Sequence, residues 1–212
     1  MTEQKKHQGA SAATFIEDHR WLIPYLASKS PVHSLLFTFP LWGFFLFFGS
    51  GGQFQRTHIF EFIFGVIYWS FFEYAMHRFV YHWKPRSSGF RYIVEGFHVY
   101  HHRNPEDHSV LTAGPLLAIP LTLFLGIPVF FLTGGNFGST CRILFGTSIA
   151  YYIYEWFHFS IHNAEYNSGL LGYMQRYHLL HHHKNWNKCY SVTNPFWDIV
   201  FRTHVKLEER HK

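Results

Sequence analysis

The sequence predicts an all-α integral membrane protein: four transmembrane helices in two hairpins, with a cytosolic helical cap. Three observations lead there. Among 212 residues, 21% are aromatic and only 15% charged, against about 25% charged in an ordinary soluble domain. Four apolar stretches, 33–49, 58–81, 111–132 and 143–161, are each about long enough for a helix to cross ~30 Å of hydrocarbon. Lysine and arginine are spread very unevenly between the connections joining those stretches. Mean hydropathy sits near zero only because 18 histidines lower it.

Residues 1–32 read as a polar cytosolic segment, without the apolar run of a signal peptide, and are expected to stay on the chain. Residues 33–212 read as one membrane domain. The first span, 33–49, is marginal in length and contains Pro40. Gly51-Gly52 supplies a short turn into 58–81. A polar stretch, 82–110, precedes the third span, where Pro120 and Pro128 are tolerated because neighbouring helices re-satisfy the backbone. Gly134-Gly135 turns the chain into 143–161, and 163–212 is polar again. Cys141 and Cys189 have no CxxC spacing, which excludes an iron–sulfur framework.

An even number of crossings separates the end of the second span from the end of the fourth, so both ends face one side. Of 18 basic residues only Arg56 and Arg142 lie near the opposite turns. The positive-inside rule then makes both termini and both polar stretches cytoplasmic. Topology accounts for the formal charge of +5, and no nucleic-acid partner is expected.

Ten histidines fall into four clusters on that side: His77 and His82; His98, His101 and His102; His158 and His162; His178, His181 and His182. Residues three or four apart share a helix face, so HxxHH and HxxxH each converge. His77 and His82 are about 140° apart on an ideal helix. They converge only if the helix ends or loosens, for which Pro85 is the nearby candidate. His82 to His98 and His162 to His178 are both 16-residue steps, so the two halves repeat: hairpin, histidine pair, step, HxxHH. Ten imidazoles exceed the four ligands of a zinc site and suit two metal ions side by side. His7, His19, His33, His58, His183, His204 and His211 read as ordinary histidines, and His108 is unassigned. Glu73 and Glu155 precede ligand candidates on the same helix faces. They are expected to orient ligating rings through the other ring N–H.

Imidazole accepts both iron and zinc, so zinc occupancy of a purified sample is an alternative. Two iron ions use the surplus ligands better: they can share the electrons that O2 activation needs, at a surface where a lipid need not leave the bilayer.

Glu73-Tyr74-Ala75-Met76-His77-Arg78-Phe79-Val80-Tyr81-His82, Phe97-His98-Val99-Tyr100-His101-His102 and Tyr177-His178-Leu179-Leu180-His181-His182 are motifs of this kind. With the tail Val192-Thr193 and Phe196-Trp197-Asp198-Ile199-Val200-Phe201-Arg202-Thr203, they resemble the fatty acid hydroxylase and sterol desaturase superfamily over roughly residues 60–204. The nearest likeness is to fatty acid 2-hydroxylases.

The resemblance implies that the ten clustered histidines hold two iron ions, with Glu73, Asp107, Tyr154 and Glu155 as supporting residues. It implies hydroxylation at C2 of a fatty acid or N-acyl sphingolipid, with O2 and electrons from a cytochrome b5-like or ferredoxin-type donor. That donor is expected to be a separate protein, since 32 residues before the first span could not hold a cytochrome b5 domain. A bacterial inner membrane or the endoplasmic reticulum is the expected location. Glu155 stands where relatives carry Asp, and Arg202 where they carry Gly. A carotenoid or sterol hydroxylase or desaturase is the alternative enzyme. A metal transporter or haem electron carrier is the non-enzymatic one.

Overall fold

The computed structural model describes residues 15–207 apart from Gly52, Phe54 and Pro85. His7, Gly52, Pro85 and His211, which enter the sequence reading, lie outside the described residues. The chain divides into two compact units: residues 23–72 with 108–159, and residues up to 22 with 73–107 and 160 onward.

The first of these is apolar. In chain order through both units, short helices α1 (Phe15–Asp18) and α2 (Ile23–Leu26) precede strand β1 (Ala27–Ser28), and α3 follows (Pro31–Ser50). Then come α4 (His58–Ala75) and a π-helical turn (Met76–Tyr81), α5 (Ser88–Arg103), strand β2 (Thr112–Ala113), α6 (Pro115–Leu132) and α7 (Phe137–Asn163). Pro31 and Pro115 stand in the first turns of α3 and α6, where a missing N–H costs nothing. Gly51, Gly134 and Gly135 have φ of 56°, 64° and 80° and make the two hairpin turns.

Three helical segments, Pro31–Ser50, His58–Tyr81 and Pro115–Leu132, are long and apolar enough to cross a membrane. Each leaves most of its surface open, as a lipid-facing helix does. The expected fourth span is the 27-residue α7. It has the length but is less apolar, because it carries Arg142, Glu155, His158 and His162. The third span starts at Pro115 rather than 111, because Thr112 and Ala113 pair antiparallel with Ser28 and Ala27.

Within this unit α4 and α7 cross at glycines. A Cβ on Gly65 would lie 2.0 Å from the Ile143 carbonyl oxygen, and one on Gly146 2.1 Å from that of Phe62. Small residues admit such backbone approach where no hydrophobic force drives association. Trp69, Ala118, Leu125, Ala150 and Tyr151 form the core beside the crossing. Arg142 pairs with Glu61 and donates to the Gly49 carbonyl at 2.6 Å. The end of α3 and the starts of α4 and α7 therefore lie together, as two antiparallel hairpins require.

The second unit is polar and holds most of the histidines. Here α1 packs on α5: a Cβ on Gly96 would lie 2.6 Å from that of Phe15. Helix α8 (Gly169–His183), the segment 184–195 and α9 (Phe196–Val200) complete it. Asp198 is fully buried and accepts the backbone N–H groups of Tyr190 (2.9 Å) and Ser191 (2.8 Å) and the Thr203 hydroxyl (2.7 Å). That single carboxylate fixes the fold of the segment after α8.

Candidate metal centre

Helices α4, α5 and α8 bring their histidines together by two local devices. At the end of α4 the backbone switches to i→i+5 bonding, with the His82 N–H donating to the His77 carbonyl at 3.2 Å. A π turn carries more residues per turn than an α turn. Residues five apart, divergent on an ideal helix, therefore share a face, and the two rings lie 5.1 Å apart between centroids. The loosening needed for convergence is this turn, which lies before Pro85. In α5 and α8 the HxxHH spacing does what helical periodicity dictates: His98 and His102 approach to 2.9 Å between Nε2 atoms, as do His178 and His182.

Nine of the ten candidate ligands then converge as two groups. His77, His82, His98, His102 and His181 form one; His101, His162, His178 and His182 form the other. In each, one nitrogen per residue lies within 4.8 Å of all the others. The groups adjoin, since His102 stacks on His182 with centroids 4.1 Å apart. His158 is in neither group. It belongs to the other unit, where its Nδ1 donates to the Leu111 carbonyl at 3.2 Å and its ring stacks on Tyr154.

The separations suit a metal. Nε2 atoms stand 3.1 Å apart in His77–His98, 3.0 Å in His82–His98, 3.1 Å in His82–His181 and 3.0 Å in His162–His178. Two nitrogens ~2.1 Å from one ion are about 3.0 Å apart at a right angle and about 3.4 Å apart at the tetrahedral angle. The observed separations fall at or near these values, as ligands of one ion would.

Backbone carbonyls set the tautomers. His77 Nδ1 donates to the Tyr190 carbonyl, and His181 Nδ1 donates to that of Lys188 at 2.7 Å. Both rings are thus left with the Nε2 lone pair facing the centre. Burial, reinforced by neighbouring imidazoles, depresses the basicity of His98 and His102 well below the usual range. The same causes bring His82 to about 2, and burial brings His181 to about 4. All four are neutral, ligand-competent imidazoles near pH 7.

The expected carboxylate partners act differently. Glu73 accepts the N–H groups of Val192 (2.6 Å) and Thr193 (3.0 Å) and the Thr193 hydroxyl (2.7 Å). It clamps the segment that presents the Tyr190 carbonyl. Asp107 accepts the Tyr100 hydroxyl, and Glu155 accepts the Ala113 N–H at 2.9 Å. His19, His33, His58, His183 and His204 stay outside both groups, and His108 lies beside Phe159. Sequence reasoning missed Lys188 and Tyr190, whose contribution is a main-chain oxygen, and Trp186, whose ring lies 4.2 Å from that of His102.

The sequence profile described as fatty acid hydroxylase matches residues 62–203, a stretch containing all ten clustered histidines. The chain belongs to the fatty acid hydroxylase family. Among similar family members is the dihydroceramide fatty acyl 2-hydroxylase FAH1 of Arabidopsis thaliana, 33% identical over 66% of this chain and 59% of its own. The ceramide very long chain fatty acid hydroxylase SCS7 of Saccharomyces cerevisiae is 32% identical over 71% of this chain and 39% of its own. The mouse fatty acid 2-hydroxylase is 29% identical over 71% and 40%. This family member thus spans between about two fifths and three fifths of those relatives' lengths. A solved structure of full-length Scs7p, with only its hydroxylase domain visible, superposes with a TM-score of 0.76 at 27% identity. It covers 91% of this chain and 70% of that one.

Proposed function

We propose that the protein is a membrane enzyme that hydroxylates a lipid acyl chain, at C2 of a fatty acid or N-acyl sphingolipid. The observation carrying this reading is the pair of adjoining imidazole groups in a chain of the fatty acid hydroxylase family. Residues 33–212 are the catalytic domain in this reading and 1–32 a cytosolic segment. The four long helices are its spans, and the termini and histidines are cytoplasmic, in a bacterial inner membrane or the endoplasmic reticulum.

Five imidazoles would hold one iron ion and four the other, with His158 the proposed tenth ligand on its i, i+4 spacing to His162. When bound, iron supplies the redox chemistry by which O2 is activated. One oxygen atom enters the C–H bond and the other leaves as water, with two electrons and two protons from outside. A cytochrome b5-like or ferredoxin-type carrier would bring the electrons. The protein's own part is positional. Tyr190 and Lys188 carbonyls fix two rings as Nε2 donors. Glu73 and Asp198 hold the segment bearing those carbonyls. Burial keeps the imidazoles neutral and limits water.

Expression in a lipid-profiled host tests this. Acyl species heavier by one oxygen, with the new hydroxyl at C2, are expected, and His98→Ala should abolish them. Products lighter by two hydrogens would mean a desaturase. Unchanged lipids from iron-loaded protein with a working donor would end the reading.

A further inference from the structure

The indole of Trp186 covers one of the two histidine groups from outside. Its ring centroid lies 4.2 Å from that of His102, 5.1 Å from His82 and 6.5 Å from His181. Three of the five ligand candidates of that group thus meet one side chain. Trp186 is itself half-buried, so part of it faces outward.

The sequence next to these residues carries one sign of charge. Lys184 and Lys188 flank Trp186 at two residues on either side, Lys84 follows His82 by two, and Arg103 follows His102. Lys84 is close enough to act electrostatically on His82. Lys84 and Lys184 are exposed, and Arg103 and Lys188 partly so. No carboxylate occurs in residues 77–88, 96–105 or 176–197. Lys188 also offers its carbonyl to His181, so the segment with the cations is hydrogen-bonded to a ligand candidate.

We propose that Trp186 and the cations around it form the electron entry face for the five-histidine group, taking a protein carrier whose redox group is rimmed by acidic side chains. The inference rests on the oxygenase reading, since only a redox-active pair needs electrons. One electron leaves the reduced carrier and one ferric ion becomes ferrous; no bond is made or broken, and a second transfer reduces the second ion. Trp186 is a positioning residue: it fills with π-electron density the gap that a carrier's redox group would otherwise face across water. Basic residues around it orient an acidic partner and speed encounter in a salt-dependent way.

The test is anaerobic stopped-flow reduction of iron-loaded protein in detergent, without lipid, followed at the iron absorbance. Photoreduced flavodoxin, an acidic one-electron carrier, is the protein probe. A sulfonated viologen radical anion and methyl viologen radical cation are the small ones. With wild type, flavodoxin and the anionic dye should reduce the iron faster than the cation does, and added salt should narrow the gap. The paired change Lys184→Glu with Lys84→Glu should slow flavodoxin at least tenfold and reverse the preference between dyes. Trp186→Leu, with unchanged iron content, should slow the first-order transfer at saturating flavodoxin about tenfold, and Trp186→Phe should restore most of it.

Iron reduction by flavodoxin that ignores both salt and the charge reversals would overturn the face, as would wild type that flavodoxin fails to reduce. Loss of iron from both Trp186 variants would make the indole a structural wall instead. Electron transfer without any lipid product would leave this inference standing and remove the hydroxylase reading, so the two fail separately.

Discussion

Asp198 lies in neither histidine group, yet its loss should empty one of them. Its carboxylate accepts three hydrogen bonds in full burial, two of them from the N–H groups of Tyr190 and Ser191. Asp198→Asn keeps the shape but leaves a single acceptor oxygen, with an amide NH2 facing a backbone N–H. One buried donor left unpaired costs about 1–3 kcal/mol. The segment can recover that by shifting, and a shift moves the Tyr190 and Lys188 carbonyls that hold His77 and His181. Loss of such a partner lowers metal affinity about 10–100-fold, or ~1.4–2.8 kcal/mol, the same size as the strain that drives the shift. Both rings belong to the five-histidine group. Metal analysis during chelator competition should therefore show two ions per chain in wild type. In the variant one ion should be lost about 10–100-fold more readily. Equal retention of both ions, or equal loss of both, would refute the reasoning.

Other outcomes follow from single features. Arg202 has a φ of 57°, in the left-handed region. Arg202→Gly should relieve about 1–2 kcal/mol of backbone strain, offset in part by the greater freedom of the unfolded chain, for a net gain of ~0.5–1 kcal/mol in detergent unfolding; a lower stability would contradict this. Gly65→Ala should cost about 1–3 kcal/mol, because its Cβ would meet the Ile143 carbonyl oxygen; a transition unchanged from wild type would show that the helices separate freely. His82, His98, His102 and His181 have folded pKa values below the unfolded one near 6.5. The unfolded metal-free chain therefore binds more protons as pH falls below ~6.5, and stability drops by up to ~1.4 kcal/mol per pH unit for each histidine. Above that pH the four contribute no slope, and a metal-free protein equally stable at pH 5 and pH 7 would count against it.

Much of the fold was legible because membrane spans and HxxHH motifs are local. Apolar length marks Pro31–Ser50, His58–Tyr81 and Pro115–Leu132 without reference to the rest of the chain. Helical periodicity alone brings His98 to His102 and His178 to His182. Helix α7 was harder, since its polar residues meet needs that arise only in three dimensions: Arg142 answers Glu61 and the Gly49 carbonyl.

Sequence by itself thus determined the long apolar helices, the turns at Gly51 and Gly134-Gly135, and nine histidines that assemble, with His158 expected among them as a tenth. Tertiary structure decided how they are shared, five in one group and four in the other, with His158 in neither. It also decided what orients them. Glu73 looked like a partner for a ring because a carboxylate one turn before a ligand is well placed for it, but it holds backbone N–H groups 119 and 120 residues away. The rings of His77 and His181 are instead fixed by carbonyls of Tyr190 and Lys188. Every residue carries a carbonyl, so no residue type signals which ones will serve; only the folded path of residues 184–195, held by Asp198, selects them.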